Sequence, residues 1–481
     1  MIRLCVDDLL KATGAQLVAG EGTRELHGVS TDTRSMSTDV LFVALSGPNF
    51  DGNQFAHAAM AAGAGALLLG GDLDQVQAMV AELPAGVALL HHDNPRRALS
   101  DLGAWHRSRL NIPVIGVTGS CGKTTTKNIL VELLASVRRV VGSPSSFNND
   151  IGVPHTIFLA DEETEVLVLE MGTNHPGEIS ALCRTARPGG AILTNIGASH
   201  LEGLLSIEGV AKEKGDLIAC LPESGFAVLE ADSPWTPQMS ALAAARVISF
   251  SVDGAGDLNA TDVWFHAAGT TFRLDGHEVT FPLLGLHNVQ NLLAALAACI
   301  GLGIRLEEIL PHVSELSSGR RRLEKKTVGD LTLFDDTYNA NPESAKASVR
   351  VLAGIHGHNR RVIVLGDMLE LGELAAELHH ELGRSVAEAG IDNLFLVGEL
   401  TRATAAGARE GGMPKENIVH YASLDEALVE IPEQLQGGDL VLVKGSRAMG
   451  LERLVTRLEQ TCGESAADPE PNGCATGGSG L

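Results

Sequence analysis

Residues 112–126 read Ile-Pro-Val-Ile-Gly-Val-Thr-Gly-Ser-Cys-Gly-Lys-Thr-Thr-Thr. The apolar, β-branched run from Val114 to Val117 predicts a short buried strand, and Gly119 to Gly122 predicts a tight turn. Beyond Lys123 the apolar residues Ile129, Leu130, Leu133, Leu134 and Val137 recur at the spacing of one helical face. Strand, glycine turn, Lys-Thr and helix are the parts of a phosphate-binding loop. Small residues let backbone N–H groups close around phosphate oxygens, and the helix N-terminus adds partial positive charge. Lys123 is then expected on the β/γ oxygens and the Thr124 hydroxyl on Mg²⁺. Val117 stands where the strict pattern has its first glycine, leaving Gly-x-x-Gly-Lys-Thr with Gly116 at the strand end. A tight β–α turn capped by Thr would share some of these features. The strand before, the helix after and the Lys-Thr pair together point to an ATP or GTP site.

Composition narrows the function classes. The 481 residues are 44% hydrophobic, with a mean hydropathy of +0.11, and 60 acidic against 36 basic residues give a formal net charge of −24. Non-specific nucleic-acid binding and anionic-membrane binding need basic patches, so neither is expected. A local cluster can still hold an anionic substrate. Seven cysteines lie scattered with no Cys-x-x-Cys spacing, which predicts free thiols in a reducing cytoplasm rather than disulfides or a zinc site. Cys121, inside the loop, reads as a tolerated small residue. The N-terminus carries acid where a signal peptide would have an apolar core, and the longest apolar stretches (56–69 and 292–304) fall short of a membrane span. A cytoplasmic chain without membrane insertion is expected.

The length predicts about three domains. Residues 1–108 read as a small α/β domain, 109–318 as a central ATP-binding domain and 319–462 as a second doubly wound unit, followed by a disordered tail, 463–481. Val166–Leu169 and Ala191–Thr194 are continuous apolar runs, as strands buried on both faces of a parallel sheet require. Leu331–Phe334, Arg361–Leu365, Asn393–Val397 and Asp439–Val443 repeat the pattern downstream.

Ligands of open parallel sheets lie at the carboxyl ends of the strands. Glu170 follows one such run and is placed to hold Mg²⁺ beside a phosphate loop, its alternative being a loop or N-cap carboxylate. His200 closes the loop after Thr194, and Lys212 and Lys214 stand among acids further on. By themselves these three residues read as ordinary loop and surface positions.

With their neighbours they carry a resemblance. Gly-Val-Thr-Gly-Ser-x-Gly-Lys-Thr-Thr, Phe147-Asn-Asn-Asp-Ile-Gly-Val-Pro, Glu170-Met-Gly, Asn195-Ile-x-x-x-His200-Leu, the Lys214 segment, Leu286-His-Asn-Val-Gln-Asn291 and Asp336-Thr-Tyr-Asn-Ala-Asn-Pro are similar to the Mur ligases. The order and spacing fit across nearly the whole chain. That family consists of ATP-dependent amide-bond ligases that build the peptidoglycan precursor in the cytoplasm. The resemblance implies a three-domain α/β fold with a central P-loop ATPase-like sheet and a C-terminal Rossmann-like domain that closes on ATP. It implies catalytic roles for Lys123, Glu170, His200 and Lys214, and a nucleotide site formed by Gly119, Ser120, Cys121, Gly122, Lys123, Thr124 and Thr125. His287, Asn288 and Asn291 would line the adenine side, with Arg320 and Asp336 contributed by the C-terminal domain. Thr124, Glu170, His200 and Lys214 would serve a pair of Mg²⁺ ions. Lys214 occupies the place of a lysine that several members carry as a carbamate, with Lys212 as a nearby alternative. Carbamylation turns a cationic amine into an anion able to ligate Mg²⁺.

Ser30, Thr31, Asp32, Thr33 and Arg34, with Asn148 and Asn149, resemble the uridine-diphosphate pocket of the later-acting members. Two subgroups share it: one adds the third residue of the peptide, the other a D-alanyl-D-alanine dipeptide. Asp93-Asn-Pro-Arg96 lies in the first domain and reads as a helix start, not as the C-terminal diaminopimelate grip it imitates. Leu365-Gly-Asp-Met-Leu-Glu-Leu-Gly and Val443-Lys-Gly-Ser-Arg447 resemble the second subgroup, which implies UDP-MurNAc-tripeptide and D-Ala-D-Ala as substrates. The sequence does not set the oligomeric state; a monomer is expected. A folate- or cyanophycin-type ligase would share the ATP site but has no use for the first domain. A non-catalytic nucleotide-binding scaffold would have no use for Lys123, Thr124, Glu170, His200 and Lys214 together.

Overall fold

The computed structural model describes residues 1–47, 50–266, 269–317 and 319–463; the expected tail lies outside them except for Gly463, the last residue of the helix Glu452–Gly463. The chain divides into two compact units between Ser317 and residue 318.

The first unit holds two large sheets. The smaller runs Gln16–Ala19, Ala88–His91, Ala66–Leu69, Leu41–Val43, Val29–Ser30 in spatial order, parallel except for its first pair. Nine strands form the larger: Val140–Gly142, Val166–Glu170, Val114–Thr118, Gly190–Leu193, Phe226–Glu230, Arg246–Val252, Leu258–His266, Gly269–Leu274 and His277–Phe281. Its first seven strands are parallel and its last two extend the edge as an antiparallel meander.

Alternation along these strands explains the unbroken apolar runs. Ile115, Val117, Val166 and Val168 enter one core with Ile129, Leu130, Leu133 and Leu134, beneath the helix Leu286–Gly301. Val114, Leu167 and Leu169 enter the core on the opposite face, with Val153, Ile157, Ile179, Leu182, Leu217 and Ile218. Because both faces are covered, no strand position is left for a polar residue until the carboxyl end, where Thr118 and Glu170 appear.

The second unit is a six-stranded sheet, ordered Glu324–Val328, Leu331–Asp336, Leu440–Lys444, Arg361–Gly366, Asn393–Val397, Ile418–Tyr421, parallel except for its first strand. The strand expected over Leu331–Phe334 runs on to Asp336, so that residue ends the strand instead of following it. Hydrogen bonding to Leu440–Lys444 continues through the Asp336–Lys444 pair and extends the strand.

Candidate active site

The phosphate loop joins Val114–Thr118 to the helix Lys123–Ala135, whose N-cap, Gly122, leaves the first turn without a side-chain cap. A helix start with no side-chain cap suits an anion by construction. Lys123 begins the helix, and its ammonium folds back onto the loop carbonyls of Gly119 (2.6 Å) and Ser120 (3.4 Å). Thr124 is buried beside it and Thr125 half-buried.

Two glycines are dictated by close approach. Gly119 has φ +149, and a Cβ on it would stand 1.9 Å from Thr194 Oγ1; at Gly122, φ +79, it would stand 2.3 Å from Asn291 Oδ1. Gly119→Ala is therefore expected to cost about 1–3 kcal/mol of stability and to weaken nucleotide binding. Thermal melting with and without ATP checks this: an unchanged melting temperature and an unchanged ATP-induced shift would show that the loop does not need the approach.

The loop after Gly190–Leu193 is laced to the phosphate loop. Ser120 N–H donates to Asn195 O (3.1 Å), Cys121 N–H to Asn195 Oδ1 (2.8 Å), and the Thr194 hydroxyl to Cys121 O. Ser120 Oγ meets Gly197 on both O (2.9 Å) and N (3.0 Å), and the Ser199 hydroxyl donates to it (2.9 Å). His200 ends this loop with a left-handed backbone, φ 52.

At the neighbouring strand end, Glu170 is 1% exposed. Its Oε1 accepts from Asn148 Nδ2 at 3.0 Å, its N–H donates to Ser143 Oγ at 3.0 Å, and its Oε2 is buried with no partner. Lys214, on the helix Ile207–Ala219, is fully buried and its Nζ likewise has no partner. Burial, reinforced by the Lys123 ammonium, pushes the Lys214 amine well below the ordinary lysine range. An orphaned carboxylate oxygen and an orphaned amine, each costly to bury, fit a site that receives a cation and a modified lysine.

Asn288 and Asn291 are buried between the helices Leu286–Gly301 and Lys123–Ala135: Thr126 Oγ1 donates to Asn291 Oδ1 (3.1 Å), Asn291 Nδ2 to Asn288 Oδ1 (3.2 Å), and Asn288 Nδ2 to Leu284 O (2.8 Å). His287 beside them is half-buried.

In the first sheet's loop, Ser30 Oγ and the Asp32 backbone bond each other, and the Arg34 guanidinium forks onto the Asp32 carboxylate (2.9 and 2.6 Å). That pairing lowers the Asp32 carboxyl to about 2. Arg34 remains 87% exposed. Thr33 is half-buried, and Thr31 Oγ1 lies 3.2 Å from His155 Nε2. Of the two asparagines grouped with this loop, Asn148 reaches Glu170, whereas Asn149 Oδ1 accepts from the N–H of Gly152 (2.9 Å), the first residue of the helix Gly152–Leu159. Asn94 caps a helix with Pro95 at its start, and Arg96 pairs with Asp150.

The second unit carries Arg320, which is exposed, and Asp336. Asp336 Oδ2 takes the Lys444 ammonium (2.7 Å) and the Ser348 hydroxyl (2.6 Å), and Lys444 also donates to Asn339 O (3.0 Å). Arg447 N–H meets Asn339 Oδ1 (3.3 Å), and Leu369 N–H meets Ser446 Oγ (2.9 Å). Three separated motifs thus converge at the carboxyl ends of this sheet. The Arg322 guanidinium stacks 4.1 Å over Tyr338.

Sequence reading missed Lys127 and Glu213. Lys127 is buried and donates to the Ser143 (2.7 Å) and Ser145 (3.2 Å) carbonyls, steadying the segment that leads to Asn148. Its signal was available: position 127 shares a helix face with Leu130 and Leu134, where a charge is out of place.

Three family models match in succession: the Mur ligase family catalytic domain over residues 25–106, the Mur ligase middle domain over 117–299 and the Mur ligase glutamate ligase domain over 321–447. A Bacillus subtilis relative named UDP-N-acetylmuramoyl-tripeptide–D-alanyl-D-alanine ligase is 38% identical, over 90% of this chain and 93% of its own length. The chain belongs to the Mur ligase family. It is an ATP-dependent ligase with the three Mur ligase domains. The crystal structure of MurF from Acinetobacter baumannii matches with a TM-score of 0.85 at 29% identity, covering 96% of this Mur ligase and all of that chain. MurF ligase from Thermotoga maritima, solved in complex with ADP, matches at 0.79 and 26%, covering 92% and 99%. Among the described residues no helix is long and apolar enough to cross a membrane.

Proposed function

We propose that this Mur ligase joins D-alanyl-D-alanine to the terminal carboxylate of UDP-N-acetylmuramoyl-tripeptide, consuming ATP and giving UDP-MurNAc-pentapeptide, ADP and phosphate in the cytoplasm. The observation that carries the reading is a relative of that name at 38% identity across all three domains. The chain's own residues suit the chemistry. The tripeptide carboxylate attacks the γ-phosphorus, and Lys123 with the positive end of its helix offsets the charge that develops on the transferring oxygens. The acyl phosphate that results makes a good leaving group of a poor one; the dipeptide amine then attacks its carbonyl and phosphate departs. Water must be kept out meanwhile, which gives closure of the C-terminal domain, with Arg320 and Asp336, a chemical purpose.

Thr124, Glu170 and His200 would hold Mg²⁺, with Lys214 as a carbamate. Mg²⁺ so held supplies positive charge to the phosphate oxygens. Among the described residues no three His, Cys, Asp or Glu side chains gather into a cage, and a cation here would complete its shell with phosphate and water. Asn288 and Asn291 act in this reading by fixing the helix beside Gly122, and His287 faces the adenine. Ser30 to Arg34 bind the uridine diphosphate, with Asn149 holding the adjoining helix. The working unit is a monomer.

Phosphate release from ATP with two substrate pairs tests the assignment. Release with UDP-MurNAc-tripeptide and D-Ala-D-Ala, and the pentapeptide product by mass, is expected. Release only with UDP-MurNAc-dipeptide and diaminopimelate or lysine would transfer the protein to the subgroup that adds the third residue.

A further inference from the structure

Glu213 immediately precedes Lys214 and is 4% exposed. Its carboxylate is fully engaged, but not within its own helix. Gly177 N–H donates to it at 2.6 Å, Ile179 N–H at 2.8 Å, and the Thr173 hydroxyl lies 3.1 Å away. Gly177 is the N-cap of the helix Glu178–Ala186 and has no side chain to cap with. Glu213 therefore supplies the cap from a neighbouring helix, where the helix dipole favours a negative charge. The segment it grips, 173–179, follows directly from the strand that ends in Glu170.

We propose that Glu213 is the positioning residue for Lys214: by clamping residues 173–179 it sets the rotation of the Ile207–Ala219 helix that delivers the buried Lys214 Nζ beside the phosphate loop. Successive helical residues point about 100° apart, so fixing the direction of residue 213 fixes that of residue 214. Lys214 Nζ, with no partner of its own, cannot hold that direction unaided. The apolar residues Ala211, Leu217 and Ile218 seat the helix in the core without directional bonds, and its N-cap, Ser206, bonds only locally, accepting from Gly209 N–H at 3.1 Å. The proposal rests on the reading of Lys214 as part of the ligase site.

Glu213→Gln keeps the shape but turns an amide NH₂ toward N–H donors, so it loosens the clamp with little change in volume. Ser206→Ala removes a cap from the same helix and serves as the control. With outer-shell residues of metal sites as the guide, Glu213→Gln is expected to lose about tenfold in kcat, with KM for ATP and UDP-MurNAc-tripeptide within about twofold, and to regain activity as bicarbonate is raised. Ser206→Ala is expected to lower the melting temperature while kcat stays at the wild-type value. Wild-type kcat in Glu213→Gln, or an equal kcat loss in Ser206→Ala, overturns the proposal. A wild-type enzyme indifferent to bicarbonate would remove the carbamate at Lys214. A kcat loss at unchanged KM in Glu213→Gln alone would then still uphold the positioning of the unmodified amine.

Discussion

Lys123→Ala is expected to lower the rate of phosphate release and of ligation by about 10³-fold, while ATP affinity falls far less. The asymmetry comes from what the loop retains. Backbone N–H groups of the uncapped first turn and the loop held by Asn195, Ser199 and Thr194 do not depend on the Lys123 side chain, so the ground-state cradle survives. What is lost is the ammonium, which rests on Gly119 O and Ser120 O and in this reading turns from its own loop to meet the γ-phosphoryl group. Charge builds up on those oxygens mainly in the transition state, so the loss falls on kcat more than on binding. Lys123→Arg should rescue little, because a planar fork cannot replace a compact point charge inside a glycine turn. Calorimetric ATP titration beside a phosphate-release assay separates the two terms. Ligation at the wild-type rate in Lys123→Ala would rule out the phosphate-loop assignment.

How legible the molecule was depends on the kind of interaction. The strands at Val114, Val166, Ala191, Leu331, Arg361, Asn393 and Leu440 announced themselves, because a parallel sheet covered on both faces demands unbroken apolar runs. The phosphate loop was legible despite Val117, since positive φ and close approach at Gly119 and Gly122 strongly favour glycine there. Pairings across long sequence separations were not readable. The Glu213 carboxylate serves N–H groups 36 and 34 residues away, and on composition an Ala-Lys-Glu-Lys-Gly-Asp stretch looks like a solvated face. Asn148 likewise carried no sign that its amide turns to Glu170, because that contact depends on how Lys127 and Ser143 fold the intervening loop. Local patterning reports burial and turn geometry; it is silent on which distant backbone a buried charge will answer.

Lys214→Met and Lys214→Ala carry the other large effect: both should lower activity, while their stabilities should move in opposite directions. Both are expected to lower kcat by about 10²–10³-fold, the range seen when a preorganised electrostatic partner is removed from an active site. The amine is fully buried and has no partner, and burial, with the Lys123 ammonium, pushes it well below the ordinary lysine range. An unanswered polar group in such a place costs about 1–3 kcal/mol, so in bicarbonate-depleted protein Lys214→Met, which keeps the volume and discards the amine, should melt higher than the wild type. Lys214→Ala leaves a cavity instead and should melt lower. That cavity also gives the chemical test. A short carboxylate such as acetate can enter it and put back an anion where the carbamate would stand, so activity should return to Lys214→Ala with added acetate but not to Lys214→Met, whose side chain fills the space. Ligation by Lys214→Ala at the full rate without added carboxylate would show that the buried lysine has no part in the reaction. A Lys214→Met protein that melts lower than the bicarbonate-depleted wild type would show that the amine has a stabilising partner after all.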